Sequence, residues 1–118
     1  MTTLLFGTGN YRYEARHSFG RLPKGMEWGN VSHVAVDSHD RVYAYQRKDP
    51  PVVVFDSEGS FLNSWGDGLL IDAHGIFVTP GDELILVDRD AYQVLKFSLE
   101  GELLLSIGVR EQSYLQAP

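Results

Sequence analysis

Short apolar runs alternate with polar breaks along most of the chain, and helical spacing never persists beyond about two turns. The runs are built from β-branched and aromatic residues, as in "VYAY" and "VVVF", while the breaks carry Gly, Asp, Pro and Ser. That combination reads as many short antiparallel strands joined by tight turns. In the second half of the chain the pattern predicts strands at residues 75–79, 83–87, 92–97 and 102–107. The turns "PGDE" and "LEG" separate the first two and the last two, with glycine expected to supply the positive φ of a hairpin.

The pattern also repeats. "HVAVDSHDRVYAYQRKDPPVVVFDSEGSFLNSWG" (33–66) lies in register with "GIFVTPGDELILVDRDAYQVLKFSLEGELLLSIG" (75–108), at an offset of 75 − 33 = 42 and without a gap. Ten of these 34 positions are identical, including Asp40/Asp82, Arg47/Arg89, Phe55/Phe97 and Gly59/Gly101, and most of the others keep apolar character. Four antiparallel strands recurring every ~40–45 residues is the period of a β-propeller blade. A partial third copy precedes them: "RHSFG" (16–20) matches "LNSWG" (62–66) and "LLSIG" (104–108). It predicts one isolated outermost strand over residues 11–19, followed by an irregular connection through "RLPKGMEWGN". The expected fold is all-β: two four-stranded propeller blades plus one extra N-terminal strand. Its divisions fall at 1–30 (strand and connection), 31–70 (first blade), 71–110 (second blade) and 111–118 (tail).

Composition narrows the function mainly by exclusion. The net charge is −6, and the charges are scattered without a basic patch, so nucleic acid is not an expected partner. The longest apolar stretches are a few residues, too short to cross a bilayer. The start, "MTTLLFGTGNYRYEARH", lacks the basic and apolar regions of a signal peptide. There are no cysteines, which removes disulfides and thiolate metal sites and fits a cytoplasmic protein.

The elements "V-A-V-D", "V-x-V-F-D-x-x-G" and "L-x-S-x-G" resemble those of NHL-repeat propellers, over roughly residues 10–110. Within that group the chain is most similar to the branch of the peptidyl-α-hydroxyglycine α-amidating lyases and their bacterial relatives. The more specific signals are Arg47, just after a second strand, and His74-Gly75, opening an innermost strand. The resemblance implies that His74 is a zinc ligand near the central channel and that Arg47 binds a substrate carboxylate. It implies a chemistry too: cleavage of the carbon–nitrogen bond of a hydroxyglycine-extended peptide, releasing glyoxylate and a peptide amide. Two positions depart from the family. "KDPP", with Pro50, stands where a further histidine follows the arginine, and Tyr92 stands where the next blade usually has one.

Each of these residues also has a plainer reading. His74 at a strand start suits a hydrogen bond to a turn carbonyl, and His33 suits a surface position facing the same region. His17 and His39 are expected to be exposed and uninvolved. Arg47 aligns with Arg89, so the repeat itself has a use for it, such as an ion pair with Asp49 or a neighbouring acid. As a ligand-binding group its planar fork fits a carboxylate or a phosphate in two-point fashion. Asp88 is expected either to orient a ligating histidine or a bound ligand, or to cap a turn. Tyr43, Tyr45, Phe55 and Trp65 are expected to pack between blades.

Two blades cannot close a ring, and each end would leave an apolar face in water. Head-to-tail association covers both faces and closes into a cyclic assembly. The resemblance implies about six blades, so three chains of two units, a homotrimer, is the expected state. Such a ring would bind a partner or a small anionic ligand and bring three copies of His74 together, and three imidazoles with one open position is a catalytic zinc arrangement. Two other readings stay open: a zinc-dependent lyase or hydrolase whose site is formed by several chains, and a truncated, inactive gene product.

Overall fold

A computed structural model describes residues 4–109 of the chain. These contain ten strands and no helix: β1 (Leu5–Thr8), β2 (Tyr11–Glu14), β3 (Val31–Val36), β4 (Val42–Gln46), β5 (Val52–Phe55), β6 (Phe61–Trp65), β7 (Ala73–Val78), β8 (Glu83–Asp88), β9 (Gln93–Ser98) and β10 (Leu103–Ile107). The expected tail at 111–118 lies outside the described residues. β3 to β6 pair in chain order as one antiparallel sheet, and β7 to β10 form a second in the same order. The all-β expectation and the two four-strand units therefore stand.

The repeat extends to its irregularities. Register shifts fall between Val31 and His33 and between Ala73 and Gly75, which are 42-residue equivalents, as do the shifts opposite the starts of β6 and β10. The turns match as well. Asp40 and Asp82 adopt positive φ, 61° and 56°, in the first hairpin of each unit. This corrects the expectation for "PGDE": the left-handed residue is Asp82 and not Gly81. Asp tolerates that conformation because its short side chain hydrogen-bonds locally. In the last hairpins the expectation holds, with Gly59 at φ 86° and Gly101 at φ 94°.

The N-terminal region differs from the prediction of a single outermost strand. Tyr11–Glu14 pairs with Leu5–Thr8 as a separate two-stranded hairpin, and residues 15–20 form no strand. Phe19 nevertheless takes the place that the sequence match assigns to it. Its ring lies 6.3 Å from Phe55, as Trp65 lies 5.0 Å from Phe97. Both aromatics cover the glycine of the following unit's last turn: a Cβ on Gly59 would meet the Phe19 ring at 3.0 Å, and one on Gly101 would meet Trp65 at 2.6 Å.

The sheets stack face to face. Tyr43, Tyr45, Val52 and Val54 of the first pack with Ile76, Leu84, Leu86, Leu95 and Phe97 of the second in one buried cluster, and Leu70 and Ala73 of the connection join them. On the first sheet's other face, Ala44, Val53 and Phe55 form a second cluster covered by Phe19, Leu22 and Phe61. Trp28 stacks on Phe55 at 5.6 Å. β4 and β5 are thus covered on both faces, which explains their near-continuous apolar runs.

Candidate functional site: a cleft at the joint between the sheets

The joint is latched along one end by polar groups that the repeat places there. Gln46 and Asp88 are equivalents at the ends of β4 and β8. Gln46 Oε1 accepts from the Gly29 amide at 2.7 Å, and Asp88 Oδ2 accepts from the Ile71 amide, also at 2.7 Å. Gly29 and Ile71 are themselves 42 residues apart. Asp88 Oδ1 takes the next amide, Asp72, at 2.9 Å, so this fully buried carboxylate caps the connection between the sheets. Of the two readings given for Asp88, this arrangement is the turn cap.

Arg47 and Arg89 follow those residues and converge on Asp72. Arg47 Nε donates to the Ala73 carbonyl at 3.1 Å and stands 2.8 Å from Asp72 Oδ1, while Arg89 Nη2 stands 2.8 Å from Asp72 Oδ2. Asp72 Oδ2 is buried and has no aligned hydrogen bond, so Arg89 neutralises it by proximity of charge. Asp72, not Asp49, is the ion-pair partner of Arg47; Asp49 Oδ1 instead accepts from the Gly68 amide at 3.4 Å. The pair spans 25 positions of sequence (72 − 47), so no local pattern could have named it.

Beside this network lies a cleft of about 180 Å3, lined by Gln46, Arg47, Lys48, Asp49, Pro51, Leu70, Ile71 and Ala73. The Arg47 side chain is 37% exposed, and Lys48 and Asp49 line the opening beside it together with Leu70 and Pro51, so cations outnumber carboxylates two to one there. A small carboxylate fits that chemistry; a larger apolar ligand does not.

His74 is the extra residue of the β7 register shift and is exposed. His33 is accounted for: its Nδ1 accepts from the Ile76 amide at 3.0 Å, satisfying a free edge donor of β7. Next to it, Ser32 Oγ donates to the Ala73 carbonyl at 2.6 Å. Ser32 is the repeat equivalent of His74 (74 − 32 = 42), and in the first unit this position reaches the edge of the second sheet. His17 and His39 are exposed, and His39 Nδ1 contacts Ser38 Oγ at 3.2 Å. No group of three or more His, Cys, Asp or Glu side chains among the described residues is placed to hold a metal ion. The three-histidine arrangement that the resemblance implies is therefore not assembled among the described residues of one chain.

No helix among the described residues is long and apolar enough to cross a membrane. The chain matches no family model and no curated protein.

Proposed function

We propose that this chain is a two-blade propeller piece of the NHL type that closes a ring with further copies of itself and holds a small anionic ligand at the Arg47 cleft. A single observation carries the assembly. The outward face of the second sheet is apolar and open, with Phe77 60% exposed and Val94, Leu105 and Ile107 beside it in water. Counted back by 42, Phe77, Val94 and Ile107 are Ala35, Val52 and Trp65, which the first sheet buries or half-buries against the second, while the equivalent of Leu105 is the exposed Asn63. A unit of the same build completes that stack, and the first sheet of another copy is such a unit. Three chains give the ring of about six blades that the resemblance implies.

Light scattering of the purified chain tests this directly, with a mass of three chains as the expected result. A monomer across the accessible concentration range, in the wild type and in an Arg21→Ala variant alike, overturns it. For the cleft, titration with small carboxylates should show binding that Arg47→Ala removes and Arg89→Ala leaves in place, because only Arg47 lines the opening. Equal binding by both variants rejects the anion site.

A further inference from the structure

The two faces that would meet in a head-to-tail joint are not equally free. On the first sheet the receiving face is only partly open. Val34 and Val36 are both 52% exposed, whereas Ile76, the equivalent of Val34, is 3% exposed beneath the first sheet. The rest of that face is already occupied by the chain's own residues 19–28. Phe19 and Trp28 sit on Phe55, the Arg21 amide donates to the Gly59 carbonyl at 3.0 Å, and Arg21 Nη2 donates to Ser60 Oγ at 2.8 Å.

The repeat says what belongs in that place. Trp65 rests on Gly101 at the joint inside the chain. One repeat later, at a joint between chains, the residue equivalent to Trp65 is Ile107 and the glycine equivalent to Gly101 is Gly59 of the receiving copy (107 − 65 = 42; 101 − 59 = 42). Gly59 is already covered: a Cβ there would lie 2.9 Å from the Gly20 amide nitrogen and 3.0 Å from the Phe19 ring. An incoming Ile107 and the resident Phe19 cannot both rest on the same glycine, since packed atoms do not interpenetrate.

We propose that residues 19–28 are an internal competitor for the joint: they fill the seat on the first sheet that the second sheet of another copy takes, so self-association requires their release. The proposal rests on the reading of the chain as a ring-forming piece and adds its regulation. The apparent dissociation constant of a ring joint equals the intrinsic one divided by the fraction of chains with the seat open. Anything that loosens the segment without harming the first sheet must therefore tighten assembly.

Sedimentation velocity over a concentration series of the full chain provides the test. Arg21→Ala removes two contacts from an exposed side chain and empties no core, so the fold survives it. It should tighten self-association by about threefold, and Phe19→Ala by about tenfold or more. Adding Ile107→Lys to either variant should abolish the gain, because it charges the incoming strand. If the wild type assembles and neither single variant assembles more tightly, the competitor is rejected while the ring reading stands. If no variant, Arg21→Ala included, forms anything larger than one chain, the ring reading falls and the competitor falls with it. If Phe19→Ala unfolds by circular dichroism, Arg21→Ala alone decides.

Discussion

The first and second sheets are copies of one sequence pattern, yet the inner strands of the first, β4 and β5, are covered on both faces and those of the second, β8 and β9, on only one. Position 45 and its equivalent 87 show the difference best. Tyr45 is fully buried, and its hydroxyl donates to the Val87 carbonyl at 3.2 Å. Val87 itself points outward and is half-buried. Position 43 behaves likewise: Tyr43 is buried with its hydroxyl donating to Asp37 Oδ2 at 2.9 Å, while Ile85 is half-buried. Burial first, and neighbouring carboxylates second, push the pKa of both tyrosine hydroxyls up, so they stay neutral donors. A repeat thus fixes which face is apolar, while chain order decides which of the apolar faces finds a partner within the molecule.

Substitution at those equivalent positions probes the comparison with the largest expected effect. Tyr45→Ala should cost about 3–5 kcal/mol, as large aromatic truncations in cores do. Val87→Ala should cost under about 1 kcal/mol in the monomer, where half of its surface change is made in water. Urea unfolding of both variants measures the difference. Similar costs would mean that the outer face of the second sheet is packed against something in solution.

The turn glycines come next in size. Gly59→Val and Gly101→Val each force a β-branched residue to positive φ, which costs about 1–2 kcal/mol. Each also drives a Cβ into what lies above it, and overpacking adds about 1–3 kcal/mol. A Cβ on Gly101 would lie 2.6 Å from Trp65, in the joint between two sheets; one on Gly59 would lie 2.9 Å from the Gly20 amide nitrogen and 3.0 Å from Phe19, in the shorter segment. Gly101→Val should therefore lower the thermal midpoint more than Gly59→Val. The opposite order would show that the 19–28 segment is held more firmly than the joint itself.

These positions also show what the sequence made legible. Four strands per unit, their turns and the interlocking of Trp65 were readable because alternation, glycine and aromatic matches are local and repeated. The hairpin of β1 and β2 was not. Its four-residue strands are exposed along their whole length and carry no buried face to mark them. The match of residues 16–20 to the outermost strands was real, but it records where Phe19 packs, not a strand pairing. At the cleft, Arg47 was visible from the repeat, whereas Asp72 was not, because its equivalent in register is the uncharged Asn30, so the repeat shares the backbone contact to the arginine amide but not the carboxylate. Gln46 and Asp88 share a role despite different side chains, and only the spacing of Gly29 and Ile71 betrays it.

The smallest expected effect concerns the first hairpin of each sheet, where the same turn is closed by different chemistry. In the second sheet, Thr79 Oγ1 accepts from the Glu83 amide at 3.0 Å, a contact that does not titrate near the carboxylate range. In the first, the equivalent residue is Asp37, buried and accepting from the amides of His39 and Arg41, the Tyr43 hydroxyl and the Arg41 guanidinium. Burial alone would raise the Asp37 pKa, but those donors outweigh it and hold it below the usual value of 3.8. A carboxylate whose folded pKa is depressed stabilises the fold above its unfolded pKa, and that contribution disappears as the pH falls through the folded value. Asp37→Asn should therefore cost about 1–2 kcal/mol at neutral pH, in the range of hydrogen bonds to a charged group, and the gap from wild type should narrow below about pH 4. The measurement is urea unfolding of the two proteins at pH 7 and pH 3. A gap equally wide at both would mean that the ionised Asp37 gives its turn nothing that a neutral amide does not, and that the charged and uncharged versions of the hairpin are equivalent.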